Sequence, residues 1–174
     1  MIAAVILAAG ASTRFGSPKQ RILLAPVLAR VRAARSIDEI VIVLGAHEVD
    51  TDAHVVRCPE WEQGPGASLR CGLAALGHEV DAAVVVLADG PELSPSAVDR
   101  VVASWGGEPV LAASYGGVRG HPVLVAREAW GAIPDEGARA LQPVLVACDD
   151  LGYPGDVDYA DDLPEGLRDG EGER

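Results

Sequence analysis

Aromatic residues, lysine and methionine are scarce in this 174-residue chain, whose length fits one domain. Aromatic side chains make up 4% of the residues, and methionine occurs once. A core must therefore be built from Ala, Val, Leu and Ile, and the apolar content of 49% excludes a disordered chain. Lys19 is the only lysine, beside 13 arginines.

Cysteine is also sparse, and long apolar runs are absent. Cys58, Cys71 and Cys148 are odd in number and include no Cys-x-x-Cys pair, which predicts neither a disulfide framework nor a zinc site. We expect buried or idle thiols in a reducing compartment. No apolar run reaches membrane-spanning length, and the N-terminal run leads into a Gly-rich loop, unlike a signal peptide. These features predict a cytoplasmic protein without membrane association.

Acidic residues are missing from the first 37 positions, although the chain as a whole carries a formal net charge of -12. That charge predicts a poor general binder of nucleic acid, because neutralising phosphates needs clustered cations. The same 37 positions carry six of the 14 basic residues. We therefore expect a small anionic ligand near the N-terminus, with metal-binding carboxylates further along the chain.

Short apolar runs alternate with helical patterns, which predicts an α/β fold with a mostly parallel sheet covered on both faces. Ligands of such sheets lie at the carboxyl ends of strands. We predict one domain over residues 1–165 and a mobile acidic tail over residues 166–174. Pro26 is expected to limit where the first helix begins. The predicted strands are Ile2–Leu7, Ile40–Leu44, Ala53–Cys58, Ala82–Leu87, Val110–Ser114, Pro122–Val125 and Val144–Ala147. The predicted helices are Ile22–Arg35, Ala67–Leu76 and a segment from Ser94 to about Trp105, with weaker candidates at Glu128–Ile133 and Gly137–Gln142.

The loop after the first strand reads Leu-Ala-Ala-Gly-Ala-Ser-Thr-Arg-Phe-Gly-Ser-Pro-Lys over residues 7–19. Its small residues let backbone N–H groups approach an anion, and Arg14 and Lys19 add positive charge, which suits a polyphosphate. It matches neither a P-loop nor a Gly-x-Gly-x-x-Gly loop. Because the chain otherwise uses arginine, the lone Lys19 favours a role for a compact ammonium between phosphate oxygens.

This loop resembles the signature of the small nucleotidyltransferases, and most closely that of the molybdenum cofactor cytidylyl- and guanylyltransferases. The resemblance implies a Rossmann-like three-layer sandwich of the nucleotidyltransferase type. Further blocks that resemble the family occur in order over about nine-tenths of the chain. They are Glu60–Leu73, Leu87–Pro91, Arg119–Leu124, Asp135–Leu141 and Asp156–Leu163.

The family resemblance implies a reaction in which a substrate phosphate attacks the α-phosphorus of a nucleoside triphosphate and pyrophosphate leaves. It assigns catalytic roles to Arg14, Lys19 and Asp89. It implies a Mg²⁺ ion held by Asp89 and Asp158, with Asp156 as the competitor for the second carboxylate. The residues it implies for nucleotide binding are Leu7, Ala8, Ala9, Gly10 and Ser68.

Several candidate residues also have a purely structural interpretation. Asp89 precedes Gly-Pro and suits a turn, Asp158 lies in a broadly acidic stretch, and Ser68 suits a helix N-cap or first turn. For His121, which precedes a proline in an apolar segment, we expect a structural imidazole rather than a catalytic base.

The substrates follow from the resemblance alone. Leu-Ala-Ala-Gly, with Ala9, favours CTP over GTP, and the implied acceptor is a molybdopterin-type cofactor. Transient contact with a molybdoenzyme or its maturation factor is implied as well. The segment after Lys19 is several residues shorter than in the family, and Phe15 and Gly90 each replace its usual Met. Two alternatives therefore stay open: another phosphorylated acceptor such as a sugar phosphate, or a non-catalytic companion that binds nucleotide or cofactor.

Overall fold

The computed structural model describes residues 1–168. Seven strands form one sheet in the order β3-β2-β1-β4-β6-β5-β7. Only β6 runs antiparallel to its neighbours, so the sheet is mostly parallel as predicted. The strands are β1 Ile2–Ala8, β2 Glu39–Leu44, β3 His54–Arg57, β4 Ala82–Leu87, β5 Val110–Tyr115, β6 Val118–Ala126 and β7 Val144–Ala147. The helices are α1 Gln20–Arg32, α2 Pro65–Ala74, α3 Pro95–Ala103 and α4 Glu165–Arg168.

The sheet is covered on both faces, which confirms the three-layer Rossmann-like architecture. Alternate residues of β1 point into two separate cores because side chains alternate along a strand. Ala4 and Ile6 pack with α1 and α3, whereas Ala3 and Val5 pack with α2. Burial on both faces explains why β1 and β4 read as continuous apolar runs rather than as alternating patterns.

The first helix begins earlier than the sequence predicted. It starts at Gln20, and Pro26 lies inside it rather than near its start. Proline removes one helical hydrogen bond and is tolerated here because the rest of the helix packs through Leu24, Val27 and Val31. The weaker helix candidates appear as short 3₁₀ helices, Arg127–Ala132 and Gly137–Ala140.

The prediction of free thiols at Cys58 and Cys71 was wrong, because the structure joins them in a disulfide. Cys58 follows β3 and Cys71 lies on α2, and their Cα atoms are 5.7 Å apart, within the usual range for such bonds. The pairing could not be read from the sequence because it depends on how α2 packs against the β2–β3 edge. Cys148 is buried and unbonded, as expected.

Within residues 1–168, no helix is both long and apolar enough to cross a bilayer. The boundary between domain and tail predicted at residue 165 stays a prediction. Residues 166–168 belong to α4, and the remainder of the predicted tail, residues 169–174, lies outside the described residues.

Close packing of α2 on the sheet requires a glycine at position 72. A Cβ there would lie 2.6 Å from a methyl of Val5 and 2.8 Å from one of Val43, both in neighbouring strands. We expect Gly72→Ala to lower the free energy of unfolding by roughly 1–3 kcal/mol, because these β-branched side chains cannot move aside. Urea denaturation measures this.

Gly131→Ala is the matched control, because no atom lies within 4 Å of its added Cβ. It should change stability by no more than about 0.5 kcal/mol. Equal stabilities for the two variants would contradict the packing described for α2.

Candidate functional site

The loop between β1 and α1 is held in shape by Gln20, the first residue of α1. Its side-chain amide donates to the carbonyl of Gly10 at 2.6 Å, and its carbonyl oxygen accepts from the Ser12 hydroxyl at 2.7 Å. Gln20 is buried, and Ser12 and Gly16 adopt positive φ angles of 55° and 83°. The loop is therefore an ordered turn that starts at the carboxyl end of β1.

Lys19 and Asp89 meet at this edge of the sheet, although they are 70 residues apart in sequence. Strands β1 and β4 are parallel neighbours with Leu7 opposite Leu87, so the loops that follow them start side by side. The Lys19 Nζ donates to Asp89 Oδ2 at 3.0 Å and to the Val157 carbonyl at 2.7 Å. Both side chains are largely shielded from water, with exposures of 15% and 25%.

The segment after residue 153 brings further carboxylates to the same place. The Val157 amide donates to the Asp89 carbonyl at 3.0 Å. The Val157 side chain packs in a small buried cluster with Phe15, Leu23 and Leu163. This apolar contact holds the chain so that Asp158 faces Lys19 and the loop.

Three carboxylates converge as a result. Asp89, Asp156 and Asp158 each offer an oxygen, and these oxygens all lie within 4.8 Å of one another. Desolvation and the neighbouring carboxylates of Asp89 and Asp158 raise the pKa of Asp156 above its ordinary value. The cluster carries more negative charge than its neighbours neutralise, and oxygen ligands in this number fit a Mg²⁺ or Mn²⁺ ion.

The two cations of the loop lie against these carboxylates. Arg14 forms an ion pair with Asp158 at 3.1 Å, and the Lys19 Nζ lies 3.6 Å from the other oxygen of Asp158. Arg14 is 68% exposed, so it can turn towards a ligand in the loop. The arrangement can bind an anion and a divalent cation next to each other.

A pocket of about 320 Å³ connects the loop with Asp89 and Asp158, whereas Asp156 lines a smaller neighbouring cavity. Of the residues predicted to bind nucleotide, Leu7, Ala8 and Gly10 line it. Ala9 is buried instead, and its carbonyl accepts from the Ala46 amide at 3.1 Å. Ser68 is buried on α2 and does not line this pocket, so its predicted role has no support from the pocket geometry.

His121 lies on the other side of Asp89, in a smaller cavity of about 50 Å³. Burial lowers the pKa of His121 to about 4, with Asp89 opposing the shift and Arg119 adding to it. The imidazole is thus neutral near pH 7, and the structural role expected for His121 stays a prediction.

Sequence reasoning missed Gln20, Phe15 and Val157 as residues that shape the site. Gln20 stands next to Lys19 in sequence, but its burial and its contacts with the loop are visible only in the folded chain. Phe15 and Val157 act through a tertiary contact between the two ends of the chain. No local pattern reveals such a contact.

Comparisons with known proteins agree with this architecture. A family model for the MobA-like NTP transferase domain matches residues 4–150. No curated protein sequence matches the chain.

Solved structures of similar fold come from several organisms. The Rv0371c homologue from Mycobacterium sp. strain JC1 is 26% identical with a TM-score of 0.79, covering 96% of this chain and 95% of its own. Rv0371c from Mycobacterium tuberculosis H37Rv, solved in complex with manganese, is 27% identical with a TM-score of 0.73, covering 97% and 98%. A nucleotidyl transferase from Methanothermobacter (Mth528), 20% identical with a TM-score of 0.73 and coverage of 93% and 94%, shows the shared fold.

The neutral state of His121 predicts a specific pH dependence of stability. Its pKa is about 4 in the folded protein and about 6.5 in the unfolded chain, so the unfolded state takes up the proton first as pH falls. Stability contributed by the neutral imidazole is complete above pH 6.5 and is lost towards pH 4. Between pH 7.5 and 5 this loss should reach about 2 kcal/mol.

Urea denaturation of the wild type and His121→Gln across that range isolates this contribution, because Gln does not titrate. His78→Gln, at a fully exposed position, is the control and should follow the wild type. Parallel pH profiles for the wild type and His121→Gln would show that the imidazole is not held neutral.

Proposed function

We propose a reaction for this protein, which belongs to the MobA-like NTP transferase family, as its loop motif predicted. In this reaction the protein transfers CMP from CTP to the phosphate of a molybdopterin-type cofactor. Pyrophosphate is the second product. The family supports a nucleotidyltransferase. The base, the acceptor and the use of Mg²⁺ are the proposed parts.

One observation carries the proposal: the only lysine and a strand-end carboxylate, distant in sequence, meet at 3.0 Å inside the pocket below the glycine-containing loop. A polyphosphate needs cations, and a divalent ion needs carboxylates. Their juxtaposition suits a metal-bound triphosphate better than any uncharged ligand.

In this reaction the protein mainly aligns the reacting phosphate groups and neutralises their charge. An acceptor phosphate oxygen forms a bond to the α-phosphorus, and the bond from that phosphorus to the bridging oxygen breaks. Lys19 and Arg14 would offset the charge that develops on the departing pyrophosphate. A Mg²⁺ ion held by Asp89 and Asp158, with Asp156 beside them, would supply further charge neutralisation when bound.

The choice of base and acceptor is supported by family analogy. Ala9 completes the Leu-Ala-Ala-Gly form of the loop, which favours CTP over GTP, and the loop most closely resembles that of the molybdenum cofactor enzymes. The manganese in the Rv0371c structure supports a divalent ion. With a net charge of -12, the chain is not expected to act on nucleic acid.

An assay of pyrophosphate release tests the proposal. Each of the four nucleoside triphosphates is combined with a pterin phosphate acceptor or with sugar phosphates, with and without Mg²⁺. Release that requires Mg²⁺, CTP and the pterin phosphate supports the full proposal. Turnover with a sugar phosphate only would show that the acceptor is not a pterin phosphate. CTP binding without any turnover would show that the protein is a non-catalytic companion that binds nucleotide.

Asp89→Ala should lower the rate of pyrophosphate release at least about 100-fold, because the variant lacks the carboxylate that contacts Lys19 and would hold the metal. Asp52→Asn is the matched control, since Asp52 is exposed, lies between β2 and β3 and pairs with Arg32, the last residue of α1. Release by Asp89→Ala at the control's rate would refute the assignment of Asp89.

A further inference from the structure

Lys19 is placed inside the carboxylate cluster rather than at the entrance of the pocket. Its ammonium donates to Asp89 Oδ2 at 3.0 Å and to the Val157 carbonyl at 2.7 Å, and it forms a longer ion pair with Asp158 Oδ1 at 3.6 Å. A tetrahedral ammonium has three donors and suits this set, whereas a planar guanidinium does not. The side chain is 15% exposed, so water screens these contacts weakly.

The two carboxylates that Lys19 contacts would also ligate a divalent ion. Asp89, Asp156 and Asp158 place their oxygens within 4.8 Å of one another, and Lys19 contacts two of these three residues. A divalent ion bonded to Asp89 and Asp158 would therefore lie within a few ångströms of the ammonium. Two cations repel one another at such a distance, and water screens this repulsion only partly because the side chains of Lys19 and Asp89 are 15% and 25% exposed.

We propose that Lys19 is an internal counter-ion that competes with the divalent metal for Asp89 and Asp158, so that the site binds metal tightly only after a triphosphate draws the ammonium away. This inference rests on the proposed function, which it deepens by giving the order of binding at that site. Lys19 would then neutralise the carboxylates before nucleotide binds and contact a phosphate afterwards.

The geometry also allows the Lys19 ammonium to leave the carboxylates when a phosphate binds. Lys19 precedes the first turn of α1 and lines the same pocket as Gly10, Ser12 and Thr13 of the loop. Its flexible four-carbon stem allows the ammonium to move from the carboxylates towards a phosphate bound there. Because linkage is reciprocal, metal that displaces the ammonium would in turn improve triphosphate binding.

A purely structural ion pair is the competing interpretation. A structural pair would stabilise the fold, and removing its cation would leave the carboxylates repelling one another without a gain in function. The two interpretations differ in what happens to metal affinity when the ammonium is removed. That difference can be measured without substrate or turnover.

The test is titration of Mn²⁺ into the nucleotide-free protein, with free Mn²⁺ followed by electron paramagnetic resonance. Lys19→Gln removes the charge and keeps an amide that can donate to the Val157 carbonyl. We expect this variant to bind Mn²⁺ roughly tenfold or more tightly than the wild type. Unchanged or weaker binding would overturn the proposal.

Arg21→Gln is the matched control, because it removes one positive charge two positions along the chain. Arg21 is exposed, lines a separate groove and has no ion pair among residues 1–168. Its Mn²⁺ affinity should stay within about twofold of the wild type. Equal tightening in both variants would reduce the effect to overall charge and overturn the proposal.

Circular dichroism and thermal melting establish that each variant is folded, and Lys19→Met replaces Lys19→Gln if the latter is not. A second arm repeats the titration with a non-hydrolysable CTP analogue. The analogue should tighten Mn²⁺ binding more in the wild type than in the Lys19 variant, because only the wild type has an ammonium to displace. Equal tightening would contradict the proposal.

The two arms separate the failure of this inference from the failure of the proposed function. An analogue that binds neither protein would remove CTP as the ligand, whereas the nucleotide-free titrations would still decide whether Lys19 competes with the metal.

Discussion

The ion pair between Lys19 and Asp89 is the interaction on which the account of this protein depends. It exists because β1 and β4 pair in parallel, which places the loop after one strand beside the turn after the other. The apolar runs that make these strands are local sequence features. The site is a consequence of their pairing, since neither loop holds both charges.

A second constraint lies at the opposite end of the chain. Val157 enters an apolar cluster with Phe15 and Leu23, and its backbone bonds to Asp89. This contact, rather than any local acidity, brings Asp158 against Arg14 and Lys19. Two loop cations then face three carboxylates, so that one negative charge is left in excess and the ion pairs can exchange partners when a charged ligand arrives.

The sequence predicted much of this arrangement because the strand ends are marked by Gly10 and Asp89 and because a lone lysine among arginines is informative. The parts that it did not predict are tertiary. Gln20 is recognisable as a loop clamp only when the loop folds back on α1, and Cys58 meets Cys71 only through packing of α2. The prediction that Pro26 limits where α1 begins was wrong, because packing along the rest of the helix offsets the hydrogen bond that the proline removes.

A crystal structure with a non-hydrolysable CTP analogue and Mn²⁺ would show whether Lys19 and the carboxylates bind one metal-bound triphosphate. We expect the triphosphate against the loop over residues 10–14, with the Lys19 ammonium about 3 Å from a phosphate oxygen and anomalous density for manganese between Asp89 and Asp158. A triphosphate bound away from this loop, with Lys19 still paired to Asp89 and no manganese density there, would refute this role of Lys19 and Asp89.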